Sequence, residues 1–95
     1  MLVYKTKIQD VLILKPKIHS DSRGFFYENY NKRFFDKIVN KKYNFVQDNF
    51  SSSKKNVLRG FHFQLKKPQG KLIKVIEGKI LDVFVDFLTN FVNFC

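Results

Sequence analysis

The chain has 95 residues, 44% of them apolar, with 12 Phe, 4 Tyr, 18 Lys or Arg against 8 Asp or Glu, and a formal net charge of +10. That length allows one domain with a thin core, and the apolar and aromatic content excludes intrinsic disorder as the reading. The single cysteine, Cys95, excludes an intrachain disulfide and a cysteine zinc site, and no apolar run approaches the ~20 residues of a bilayer span.

The opening MLVYKTKIQD has no continuous apolar block of the secretory kind, which points to the cytoplasm and away from the membrane. Val11 to Leu14 is a short β-type run ended by Pro16, as in an edge strand, because proline cannot donate to a ladder. SDSRG at 20–24 reads as a turn, and FFYENY at 25–30 as an aromatic strand. Asn31 then caps a helix near 32–39 that carries Phe34, Phe35 and Ile38 on one face.

Beyond the helix the pattern is β-type: YNFVQDNF (43–50), a polar loop SSSKKN (51–56), VLRGFHFQ (57–64), a turn at KKPQG, and KLIKVIE (71–77). Gly78 marks a hairpin turn. The following KILDVFVDF alternates, with Leu81, Val83 and Val85 on one face and Ile80, Asp82, Phe84 and Asp86 on the other. There is no repeat, low-complexity tract or linker, so residues 1–95 are expected to form a single unit.

The positive charge invites a nucleic-acid reading, but the lysines are spread in ones and twos (Lys41-Lys42, Lys54-Lys55, Lys66-Lys67) in the manner of a solvated surface. Arg59-Gly60-Phe61-His62-Phe63 does fit part of an RNA-recognition strand, with FFYENY available as its partner. Against it, His62 occupies the small position, Lys66 stands where an aromatic is expected, and β-type sequence follows where that fold needs a second helix. Nucleic acid is therefore not the expected partner.

Taken together, DVLILKPKIHSDSRGFFYENYN, FVQDN, SSSKKNVLRGFHFQ and QGKLIKVIEGKILDVFVD, in that order and spacing, resemble the N-terminal half of the dTDP-4-dehydrorhamnose 3,5-epimerases. The resemblance runs from about Ile8 to Asp86. It implies a mainly β, cupin-like jelly roll or double-stranded β-helix, here incomplete, with the short helix near 32–39. It also implies an isomerase of dTDP-L-rhamnose biosynthesis, acting on a dTDP-4-keto-6-deoxy sugar without a cofactor or metal, as a cytoplasmic homodimer.

The chemistry suits the residue types. A ketone at C4 acidifies the protons on C3 and C5, so epimerisation needs a base, stabilisation of the enolate and an acid on the opposite face. Histidine titrates near neutrality and serves as such a base. By resemblance His62 is the base, Lys71 lies near the enolate oxygen, and Arg59 binds substrate. Arg23, Phe26, Glu28 and the run Gln47-Asp48-Asn49 match positions on the nucleotide and diphosphate side, where arginine's fork suits phosphate oxygens.

Each residue also has an ordinary reading. His62 can be a structural histidine, Arg23 a turn residue, Gln47-Asp48-Asn49 polar loop chemistry, Lys71 one of many surface lysines, and Asp82 either a support for His62 or a solvent-facing carboxylate. Arg59 and His62 are three apart, which regular alternation sends to opposite faces. A bulge or kink at Gly60 is the expected remedy.

The resemblance fades after Asp86, where FLTNFVNFC (87–95) diverges from the family pattern. The family's acid tyrosine and the aspartate that pairs with its histidine have no counterpart here. The expectation is a truncated chain with little or no activity alone, its alternative being a non-catalytic remnant that still binds the dTDP-sugar. Preference for C3 or for both C3 and C5 is not legible.

Overall fold

Hydrogen-bonded strands form where two β-type runs lie close along the chain, because closing a short loop costs the least entropy. The computed structural model describes residues 1–40, 42–62, 66, 69–86 and 91–94. Among these residues the ladders are three separate antiparallel pairs.

The first joins β1 (Leu2–Lys5) to β2 (Leu12–Lys15), with Val3 opposite Leu14 and Tyr4 opposite Ile13. The β2 strand falls where the Val11–Leu14 run predicted one; β1 lies in a segment read only for its lack of a secretory block. The connection is tied by Thr6, whose hydroxyl lies 2.8 Å from the carbonyls of Ile8 and Val11 and accepts the Ile8 N–H at 3.2 Å. This folds Ile8 inward, the one buried apolar side chain among the described residues.

β3 (His19–Asp21) and β4 (Gly24–Phe26) form the second pair, closed through Ser22 and Arg23 at the predicted SDSRG turn. Gly24 adopts φ +134°, a region side chains with a Cβ rarely enter. The aromatic strand expected over 25–30 is thus paired only as far as Phe26.

α1 spans Lys32–Val39, at the predicted place. Asn31 caps it from extended geometry (φ −139°, ψ 115°), accepting the Phe34 N–H, and Asn40 ends it in the left-handed region at φ 54°. Eight residues are too few for a helix to persist alone. Phe35 anchors it, with its ring 5.7 Å from Tyr30, 6.5 Å from Tyr43 and 5.3 Å from Phe45. Lys32 and Asp36 add a second tie: Lys32 Nζ donates to the Tyr43 carbonyl at 2.7 Å, and Tyr43 N–H donates to Asp36 at 3.2 Å. The shared apolar face expected of Phe34, Phe35 and Ile38 is narrower than predicted. Phe34 remains 56% exposed, because these contacts draw the helix toward the Phe35 side.

The third pair joins β5 (Val83–Asp86) to β6 (Phe91–Phe94), with Val83 opposite Phe94 and Asp86 opposite Phe91. Part of the divergent tail is therefore a strand. The FVNF run has the aromatic and β-branched residues that strands favour.

Strands expected over 43–50 and 71–77, and over the described part of 57–64, are not formed. Gly78 has φ +86° within a bend, but no ladder is paired across it. β-type sequence becomes strand only when a neighbouring edge takes up its N–H and C=O groups, and none of these runs has such an edge among the described residues. Their apolar side chains lie open, Val46 at 93% and Leu58 at 91%. The accessible surface is 9854 Å², against about 5,800 Å² for a compact monomer of this size.

Phe63, Gln64, Lys67, Pro68 and residues 87–90, which carry the ends of the VLRGFHFQ run, the KKPQG turn and the start of the tail, lie outside the described residues, as do Lys41, Leu65 and Cys95. Among the described residues after Gln64 there is no helix, so the RNA-recognition reading lacks its second helix. None of the described helices is long and apolar enough to cross a membrane.

Candidate functional site

The β3–β4 turn presents Arg23, and the same turn occupies it. Asp21 Oδ1 accepts the Arg23 backbone N–H at 2.8 Å, an Asx-type closure of the turn. The carboxylate then grips the guanidinium, at 2.6 Å from Nη2 and 3.2 Å from Nε to Oδ2. Hydrogen bonds from the Arg23 side chain, and next from its backbone, hold the Asp21 carboxyl below the usual carboxylate range, while Asp21 raises Arg23. The arginine side chain is nevertheless 89% exposed. A phosphate group reaching it competes with one carboxylate in open water, where such a pair is weak.

Phe26 ends β4 opposite His19 and is exposed, as is Glu28. The residues between and beyond them are held: Lys74 donates to Asn29 Oδ1 at 2.6 Å and lies 4.1 Å from the centre of the Tyr27 ring. Tyr27 in turn stacks on Phe25, with centroids 6.1 Å apart and planes 6° from parallel.

The Gln47-Asp48-Asn49 run follows Phe45, which the aromatic cluster fixes to α1. Gln47 Nε2 donates to Asn49 Oδ1 at 3.1 Å, so the two amides turn to one side of the chain. All three residues are exposed.

Arg59 is oriented by the serine-rich loop. Its Nε donates to Ser53 Oγ at 2.8 Å and its Nη2 to the Ser52 carbonyl at 3.0 Å. The loop closes with Val57 N–H on the Lys54 carbonyl at 3.4 Å and Asn56 in the left-handed region at φ 66°. One residue on, Gly60 has φ +127°. The described part of 57–64 forms no strand, so there is no pleat for Gly60 to kink and alternation does not dictate how Arg59 and His62 are disposed.

His62 and Lys71 are both exposed, and Asp82 is half-buried just before β5. Among the described residues no hydrogen bond or ion pair joins His62 to Lys71, Arg59 or Asp82. The site residues thus stand in local groups: Arg23 on its turn, Gln47 with Asn49, Arg59 on the serine loop. Among the described residues, two approaches bring the 69–74 segment to earlier parts of the chain. One is Lys74 on Tyr27 and Asn29; the other brings the Tyr43 ring to 3.8 Å from where a Cβ at Gly70, beside Lys71, would lie. An open depression of about 240 Å³ between Met1, Leu2, Lys15, Pro16 and Lys17 holds none of the candidate residues.

Sequence reasoning missed Asp21, Ser52, Ser53 and Lys74. The first three had a signal, since Asp two residues before Arg in a turn and a serine run before an arginine are both local pairings. Lys74 had none, because its partners Asn29 and Tyr27 lie 45 and 47 residues away in sequence.

Comparison with known proteins identifies the family. The profile of the dTDP-4-dehydrorhamnose 3,5-epimerase family matches residues 5–94, a wider span than Ile8–Asp86, and the chain belongs to that family. Relatives bearing that name include the Salmonella typhimurium protein, 55% identical over 90% of this chain and 48% of its own length. The Escherichia coli K12 protein is 50% identical over 99% of this chain and 51% of its own. An archaeal relative, from Methanothermobacter thermautotrophicus, is 46% identical over 90% and 46% respectively. The chain spans about half the length of the curated relatives it matches. No solved structure matches it at a significant level.

Proposed function

We propose that this chain carries the base-bearing part of a dTDP-4-dehydrorhamnose 3,5-epimerase active site. The observation that carries the reading is the family match over residues 5–94. In it His62 removes a proton from a carbon next to the C4 ketone: the C–H bond breaks, its electron pair passes to the carbonyl oxygen, and the imidazole becomes imidazolium. Lys71 offsets the negative charge on that oxygen. Reprotonation from the opposite face inverts the centre, by an acid for which this reading assigns no residue of the chain.

Arg59, aligned by Ser52 and Ser53, holds the substrate beside His62. Arg23, Phe26, Glu28, Gln47, Asp48 and Asn49 receive the nucleotide and diphosphate, with Arg23 exchanging Asp21 for a phosphate oxygen. Asp82 supports His62. The dTDP-L-rhamnose pathway, a cytoplasmic setting and homodimerisation belong to the same reading, as does a jelly roll in which the unpaired runs over 43–62 and 69–81 find ladder partners.

A second reading, binding of the dTDP-sugar without turnover, is favoured by the exposure of His62, Lys71 and Arg59. Acid–base and oxyanion catalysis depend on groups preorganised away from water. Proton NMR of dTDP-4-keto-6-deoxyglucose with the protein in D₂O separates the two. Loss of the C3 and C5 proton signals that stops in His62→Ala supports the base; saturable binding without exchange supports the second reading; neither binding nor exchange refutes both.

A further inference from the structure

The residues matched to substrate lie on segments far apart in the chain, and something must hold those segments in register. One contact does so close to Lys71, and one near approach flanks it. On one side the Tyr43 ring, part of the cluster of Tyr30, Phe35 and Phe45, lies 3.8 Å from where a Cβ at residue 70 would stand. On the other, the Lys74 ammonium sits 4.1 Å from the Tyr27 ring centre and 2.6 Å from Asn29 Oδ1. The geometry points to Lys74 as a positioning residue, a clasp that sets the Lys71 segment against the Phe26–Glu28 segment so that both face one dTDP-sugar. This rests on the function proposed above and deepens it.

The aromatic side of the clasp follows from the stacking next to β4. Phe25 and Tyr27 stack, as residues two apart on one face of an extended chain do. Asn29 continues that series, and Lys74 bridges its last two members. Phe26 and Glu28 fall on the other face, which the clasp leaves free. In the 71–74 run Leu72 and Ile73 separate Lys71 from Lys74, so the clasp anchors the chain three positions from Lys71 without occupying it. Lysine suits the task because one ammonium both donates to the amide oxygen and lies over the ring.

The test uses the whole chain with dTDP as the probe, titrated by ¹H–¹⁵N NMR. Lys74→Met keeps the length of the side chain and removes its charge and donors; binding is expected to weaken about tenfold, and the dTDP-induced shifts of the Glu28 and Lys71 amides are expected to disappear. Lys74→Arg, which restores both contacts, is expected to return affinity to within about threefold of the parent. A merely structural lysine would lower the urea midpoint in Lys74→Met and leave the dTDP-induced shifts of the Glu28 and Lys71 amides in place, so retention of those shifts in the mutant overturns the positioning role. Equal affinity in Lys74→Met and the parent overturns the clasp and leaves the proposed function standing. A parent chain that fails to bind dTDP overturns the function, and the positioning role with it. Independently of dTDP, the Lys74 Hε protons are expected upfield from the Tyr27 ring current; their absence there refutes the contact itself.

Discussion

Replacing Phe35 by Ala removes the ring on which the only described helix is anchored. Each of its ring contacts, to Tyr30, Tyr43 and Phe45, is worth about 0.5–1.5 kcal/mol beyond area burial, and full burial would bring a Phe→Ala cost of about 3–5 kcal/mol. Phe35 is only half-buried, so the expected loss is about 2–3 kcal/mol. A domain of this length has about 5–15 kcal/mol in total, and one with Ile8 as its only buried apolar residue among those described stands at the low end. Urea titration followed at 222 nm measures the change. Phe34→Ala is the internal comparison, since that ring is 56% exposed and its loss is expected to cost under about 0.5 kcal/mol. The consequence reaches the site: Phe45 holds the chain two residues before Gln47, and loosening it frees the Gln47–Asn49 pair. Equal destabilisation by the two substitutions would refute the assignment of Phe35 as the anchor.

Asp21→Asn keeps the acceptor that closes the β3–β4 turn and releases the Arg23 guanidinium from its carboxylate; dTDP affinity by calorimetry is expected to rise, by less than about fivefold because the pair is exposed, and a fall would mean that Asp21 orients Arg23 for the ligand. Asp36 is held below the usual carboxylate range, first by its hydrogen bond from Lys32. A carboxyl depressed in the folded state contributes stability above its unfolded pKa and loses it as pH falls through the folded value, so the urea midpoint is expected to drop below about pH 4, and Asp36→Asn to flatten that drop; an unchanged profile would contradict the contact. Asn31→Ala removes the cap on Phe34 N–H and is expected to cost about 0.5–1 kcal/mol, read by the same titration, with Asn31→Asp preserving stability.

What was legible follows from the range of the interactions involved. The Asn31 cap, the Asp21–Gly24 turn and the β2 run depend on residues within a few positions, and local chemistry names them. The Phe34 and Phe35 pair was ambiguous, since helical spacing puts both near one face; the approach of Tyr43 and Phe45 to Phe35 chose between them. The candidate residues themselves were reached through resemblance in four ordered blocks, a signal of family that carries no contact information.

The order of segments, the capped helix, the turns and the family are properties of the linear chain, because each rests on neighbours in sequence or on an ordered pattern. Which β-type runs are paired, and that Lys74 crosses to Tyr27 and Asn29, appear only once the chain is folded. A ladder and a long-range clasp require two segments to meet in space, and alternation along one of them cannot say which other segment it meets.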